Sequence, residues 1–281
     1  MTGRSATRAV MVVAPLLLGV TGLAPPDDAP KGEKALAEAQ RAFAKREAAA
    51  YTIRLEGGDR RLTLRPEPVL TWSNPVMGQI YGEVFVWTAD GRPEAVASIY
   101  RFHTPDPHRA DEFHSLALGR LTAERGGSAV WAPARAGVEL KPIPDAPAPA
   151  DSAAGRLRQM RALAQEFTGR QTNRQGVDRD MRLLAQPVYR YEATQGELID
   201  GGLFAFVQGT DPEVFLLIEA RRPPGGAPGW YFGATRMHGI HLRLYRGGRV
   251  AWSAPEIPPE RVYDRREPYV IFRFEAGPHE P

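Results

Sequence analysis

The sequence predicts an α+β protein: a tandem duplication in which each half is one N-terminal helix packed on a curved antiparallel β-sheet. Three observations carry this. A Pro/Ala-rich stretch, Lys141 to Asp151, divides the chain into parts of similar length. The two parts repeat residues at an offset of 121, with 13 identities over the 71 positions 61–131, where composition alone gives about five. Each part opens with apolar residues at helical spacing and continues in strand-like runs bounded by Gly, Asp and Pro.

Residues 1–24 read as a secretory signal. Arg4 and Arg8 give a positive start, Ala9 to Val20 is apolar, and Gly22-Leu23-Ala24 offers small residues for cleavage. The uncharged run is shorter than the ~20 residues of a membrane span, so a retained anchor is the lesser alternative. The first repeat is expected over 31–141. It opens with a helix carrying Leu36, Ala39, Phe43 and Ala50. Strands at 51–56 and 61–64 follow, joined by Gly57-Gly58-Asp59. The clearest hairpin runs from Glu83 to Thr88, through Asp90-Gly91, to Glu94–His103, since Asp-Gly suits the positive φ angles of a type I′ turn. Arg125-Gly126-Gly127 before Trp131 marks another. Residues 142–151 read as an extended linker.

The second repeat is expected over 152–275. Its helix would use Leu157, Met160, Leu163, Ala164 and Phe167. Leu203–Val207 and Val214–Glu219 would form the counterpart hairpin with a longer turn, and Arg246-Gly247-Gly248 would turn before Trp252. Pro66, Pro68 and Pro187 assign their strands to edges or strand starts. The aromatic residues Phe43 and Phe167 would seat the helices, and Phe85, Trp87, Phe204 and Phe206 would build the sheet faces.

Composition narrows the function. The chain of 281 residues holds 36 Lys plus Arg and 33 Asp plus Glu, and Arg4 and Arg8 belong to the signal. The mature chain is therefore nearly neutral, and the full sequence's pI of 9.2 gives no reason to expect a nucleic-acid partner. Zero Cys excludes disulfides, Fe–S clusters, thiolate zinc and a cysteine nucleophile. No Gly-rich nucleotide motif occurs, and no cofactor is expected. The nucleophile elbow of serine hydrolases is absent as well.

The strings PEPVLTWSNP, GEVFVWTADGRPEAVASIYRFH and EFHSL in the first half, and PVYRYE and DGGLFAFVQGTDPEVFLLIEARR in the second, resemble a family of exported bacterial proteins of unknown function, over about residues 33–255. The resemblance implies export and the two-part layout. It brings no activity and no catalytic residue.

The reading that follows is a non-catalytic periplasmic or extracellular protein of binding or structural role, with an envelope protein, glycan or lipid as partner. Two alternatives stand beside it. His103, His108 and His114, interleaved with Asp106, Asp111 and Glu112, carry ligand types suited to zinc; a metal-binding protein or metal-dependent enzyme would use them. A polar loop is the plainer account of the same residues. A carrier would hold an apolar ligand between helix and sheet. His238 and His241 are three apart, and in a strand they would face opposite ways. A surface for partners, or for a peripheral membrane contact, would come from the basic second helix through Arg156, Arg158 and Arg161, with Arg170 and Arg174 beyond them, and from Trp230 after the Pro/Gly-rich loop 223–228.

Overall fold

The computed structural model describes residues 29–57, 60–74, 77–104, 106–192 and 196–275; the signal-like segment 1–24 lies outside them. Two long hairpins occupy the centre. In the first half, β4 (Ile80–Ala89) and β5 (Arg92–Phe102) join through Asp90 and Gly91, with φ of 47° and 85°. Both angles are positive, as a type I′ turn requires. In the second half, β13 (Leu198–Gln208) and β14 (Asp211–Arg221) join through Gly209 and Thr210 alone. This turn is shorter than the sequence suggests, because pairing runs on to Gln208 and Asp211. Gly209 at φ 64° takes the first central place, where a type II′ turn wants glycine.

Each hairpin gains further strands. In the first half, β6 (His108–Ser115) pairs with β5, while β2 (Thr63–Leu64) and β3 (Leu70–Ser73) pair with β4. In the second, β15 (Gly229–Arg236) pairs with β14, while β11 (Asp178–Leu183) and β12 (Tyr189–Tyr191) pair with β13. The strand β1 (Tyr51–Leu55) pairs with β7 (Leu121–Arg125), which turns through Gly126-Gly127 into β8 (Ser128–Trp131). Likewise β10 (Phe167–Thr172) pairs with β16 (His241–Arg246), which turns through Gly247-Gly248 into β17 (Arg249–Ala254). All these pairings are antiparallel, and one sheet curls as a half-barrel.

Two helices cover the outer faces. The buried stripe of α1 (Ala29–Ala49) is Gln40, Phe43, Ala44 and Ala48; Ala39 and Ala50, expected inside, are exposed. Gln40 Nε2 donates to the Ile99 carbonyl at 3.3 Å, which partners the amide nitrogen of the one polar side chain in that stripe. The second helix, α2 (Ala153–Gln165), starts where Ser152 Oγ accepts the Gly155 N–H at 3.1 Å, an ordinary N-cap. It ends earlier than expected. Phe167 opens β10, because residues 167–172 find a full antiparallel partner in β16.

Period-2 alternation divides the core into three layers. Phe85, Trp87, Ala95, Ala97 and Ile99 point toward α1. Phe204, Phe206, Leu216 and Ile218 point toward α2. The intervening residues Val84, Val86, Val96, Leu203, Ala205, Phe215 and Leu217 meet between the sheets, with Trp72, Leu116 and Met237. The central strands are thus apolar on both faces, and the two halves pack sheet against sheet. No helix among the described residues is long and apolar enough to cross a membrane.

Two short segments cross the seam. After β8, β9 (Lys141–Pro142) pairs with β15 of the second half, and Ile143 enters the core under α2. The start of the expected linker is therefore packed rather than free. After β17, a 3-10 turn (Pro259–Tyr263) leads to β18 (Tyr269–Glu275), which pairs with β6 of the first half. The sequence assigns 269–275 to the second repeat. Its strand instead closes the first sheet, because β6 has an open edge there and Val270 completes the core under α1.

Candidate functional site

The seam between the sheets is apolar in the middle and polar at both ends. At one end Arg92, on β5, is buried against the other half. Its Nε donates to Glu219 Oε1 at 2.9 Å and its Nη1 to Glu94 Oε2 at 2.9 Å and the Leu116 carbonyl at 3.0 Å. Tyr191 O–H adds a 2.8 Å bond to Glu219 Oε1, and Arg221 Nη1 lies 2.7 Å from Oε2. Two arginines thus meet two glutamates, and the buried charge is balanced.

The other end is not balanced. Glu112 on β6 is buried and accepts a short hydrogen bond from Tyr269 O–H of β18. Burial pushes its carboxyl up to about 8, against the Tyr269 bond and Arg236, with Asp211 pushing the same way as burial. Asp211 and Glu213, at the start of β14, are also raised, first by burial. Glu213 Oε2 has no hydrogen-bond partner among the described residues. At pH 7 the Glu112 carboxyl is therefore mostly neutral.

Arg236 ends β15 beside this group. It is 6% exposed. Its Nη2 donates to the carbonyls of Ile240 (2.8 Å), Ala254 (3.1 Å) and Pro255 (2.6 Å). Its Nε is buried without a hydrogen-bond partner among the described residues, and its guanidinium sits 5.8 Å from the centre of the Tyr269 ring. Burial lowers its pKa to about 10, so it stays a cation at neutral pH. No carboxylate forms an ion pair with it among the described residues. A buried cation without a counter-ion is unusual, since desolvation costs several kcal/mol per ion.

Arg236, Tyr269 and His114 line a cavity of about 370 Å³ between β6, β17 and the segment 254–269. Its walls include Trp252, Pro255, Ile257 and Pro268, and Arg135, Arg261, Glu256 and Glu267 contribute the remaining charge. Arg135 and Arg261 share Glu267, at 2.8 and 3.3 Å. His114 Nδ1 lies 2.8 Å from the Ser115 carbonyl. That contact requires the proton on Nδ1, which leaves Nε2 a bare acceptor. Burial holds the ring neutral by lowering its pKa to about 3. Ser253 Oγ meets His241 Nε2 at 3.2 Å, and no carboxylate orients that imidazole among the described residues.

The three histidines expected near a metal do not gather. His108 and His114 lie six residues apart on β6, roughly 20 Å along a strand. His108 stacks on Phe102 at 4.3 Å, and His103 meets the edge of Tyr81 at 5.9 Å. Asp111 faces the opposite way and accepts from Tyr51 O–H at 2.6 Å. No group of three His, Asp or Glu able to hold a metal ion occurs among the described residues. Trp230, a candidate contact residue for which core is the favoured alternative, is 2% exposed and belongs to the core under α2, so the contact reading is corrected. The correction has a plain cause: β9 lies alongside β15, and Ile143 N–H donates to the Trp230 carbonyl at 2.8 Å.

The arginines of α2 divide. Arg156 turns inward, with Nε 2.8 Å from the fully buried Asp200, and Arg190 Nη2 closes on the same carboxylate at 2.7 Å. Arg161 is half-buried, and only Arg158 is fully exposed. Arg170 belongs to β10 and pairs with Asp180 at 3.0 Å.

Sequence reasoning missed Arg236, Glu112 and Tyr269 as a group. The one available signal was a charge ending an otherwise uncharged strand, Arg236 closing Gly-Trp-Tyr-Phe-Gly-Ala-Thr; Glu112 is one of several charged residues in 108–115. No protein-family model, curated protein or solved structure matches this chain.

Proposed function

We propose that the chain is an exported, non-catalytic binding protein, built by tandem duplication of one α+β unit, whose ligand site is the cavity at the seam. The observation that carries the site is Arg236, a buried cation lining an open cavity with no counter-ion among the described residues.

The duplication draws support from pairings that run in the same order in each half. An aromatic ring of an edge strand lies over a glycine twice: Trp72 over Gly82, and Tyr191 over Gly201. Register shifts fall at Trp87/Thr88 and at Phe206/Val207. Contacts across the seam are reciprocal. Tyr189 O–H donates to the Gly91 carbonyl at 3.0 Å, and Ser73 N–H to Thr210 Oγ1 at 3.1 Å, so each edge strand holds the opposite hairpin turn. The strands β9 and β18 likewise exchange sides. These matches fall at an offset of 119 in the hairpins, where the sequence identities of Phe85 and Val86 fall at 121. A slip of two keeps every side chain on its own face, which is why both alignments look apolar in the right places.

Export rests on the sequence of residues 1–24 and on the family resemblance. The cavity reading has a direct test. Native mass spectrometry of protein purified from its own source should show a bound small molecule. The variant S253W, which fills the cavity mouth from an exposed position on β17, should lose it. An equal adduct on both proteins places the ligand elsewhere and sinks the reading.

A further inference from the structure

We infer that the seam cavity takes a small hydroxylated organic carboxylate, its charge met by Arg236 and its hydroxyl by His114. This inference rests on the cavity reading above and adds the chemistry of the occupant.

Three features of the cavity select that chemistry. The first is the charge. Arg236 has spent Nη2 on three carbonyls, and its Nη1 bonds to nothing among the described residues. That nitrogen remains for a ligand. Backbone carbonyls supply partial dipoles, not a full counter-charge, so an anion completes the site. Glu112, the acid whose charge bears on Arg236, already engages Tyr269. At the mouth, Arg135 and Arg261 share the single Glu267, while Glu256 leans toward Arg174 at 3.8 Å. The rim therefore leaves a positive excess that attracts anions.

The second feature is the acceptor. His114 presents a bare Nε2, with the tautomer fixed by the Ser115 carbonyl. A simple carboxylate has no donor to offer it, and a hydroxyl does. The third is the wall. Trp252, Tyr269, Pro255 and Ile257 give apolar surface for a compact hydrocarbon body. A cavity of about 370 Å³ falls at the small end of ligand pockets, sized for a metabolite rather than a chain.

Mandelate carries a carboxylate, a hydroxyl and an aromatic body, and serves as the probe. Its controls are mandelamide, which lacks the charge, phenylacetate, which lacks the hydroxyl, and inorganic phosphate. Isothermal titration of the full mature chain at pH 7 should show mandelate binding about tenfold or more tighter than mandelamide, and several-fold tighter than phenylacetate. R236M should lose mandelate binding, R236K should keep part of it, and circular dichroism should show both folded. The wild-type comparisons need no variant, so a misfolded R236M does not shelter the idea.

Equal affinity for mandelate and mandelamide overturns the charge assignment and leaves the cavity standing. Equal affinity for mandelate and phenylacetate overturns the role of His114. Binding of phosphate alone, or of no probe up to roughly 10 mM, overturns the organic carboxylate. Undiminished mandelate binding by S253W instead refutes the cavity as the site.

Discussion

The carboxyl of Glu112 should make the protein lose stability as pH rises, and E112Q should remove much of that loss. In the folded protein burial raises this group from 4.5 to about 8. Between those values the folded chain keeps a proton that the unfolded chain has released. The stabilisation is therefore complete below about pH 4.5 and is lost as pH climbs through about 8. Each unit of difference is worth about 1.4 kcal/mol, so the full span is on the order of 4–5 kcal/mol. That is a large share of the roughly 5–15 kcal/mol that holds an ordinary domain together. Glutamine keeps the shape and offers Oε1 to Tyr269 O–H, but does not ionise. Urea unfolding followed by tryptophan fluorescence at pH 5, 6, 7, 8 and 9 measures the effect. The wild type and E112Q should be similar near pH 5, and E112Q should be more stable by on the order of 3–4 kcal/mol at pH 9. Some slope should remain in the variant, because Asp211 and Glu213 are raised as well. Two curves that stay parallel from pH 5 to pH 9 would show that Glu112 is ionised in the folded protein, and the account of the seam would be wrong.

Other perturbations test the rest of the fold. R92A leaves Glu94 and the fully buried Glu219 short of a partner, and should lower unfolding free energy by about 3–5 kcal/mol; a loss under about 1 kcal/mol would mean that water already reaches this end. G82A and G201A each drive a methyl into an aromatic ring, Trp72 in one half and Tyr191 in the other. Both should cost about 1–3 kcal/mol, and a neutral effect at either position would show the ring free to move aside. Equimolar zinc should leave the thermal midpoint unchanged, since His108 and His114 stand six residues apart on one strand; a rise of about 3 °C or more would restore the metal reading. Truncation after residue 268 removes β18 and Val270 with it, which opens the β6 edge and uncovers the core under α1. The product should be poorly soluble and aggregate, whereas a monomeric, cooperatively unfolding product would refute the closing role of that strand.

What the sequence by itself determined was local or periodic. Asp90-Gly91 and the two Gly-Gly pairs dictate their turns, because few residues besides glycine and Asp or Asn accept positive φ there. Alternation along the central strands determined which residues face a core, and an α+β layout followed. Only the tertiary structure decided which core each face meets, and where the two halves join. The strands β9 and β18 are short or ordinary as text, and their partners lie far along the chain, so nothing nearby announces that they cross the seam. Trp230 could be taken for a surface contact beside its proline and glycine loop for the same reason: the β9 strand that pairs with its own, and Ile143 that joins it in the core, come from before the second helix. The candidate site is the extreme case. Glu112 sits among other charges on β6, Tyr269 opens a strand with charges of its own, and Arg236 is the single charge of β15. A charge in a strand ordinarily reads as solvent-facing. Their meaning arises only when sheet packing removes water from all three at once, leaving one acid protonated and one cation without a counter-ion among the described residues.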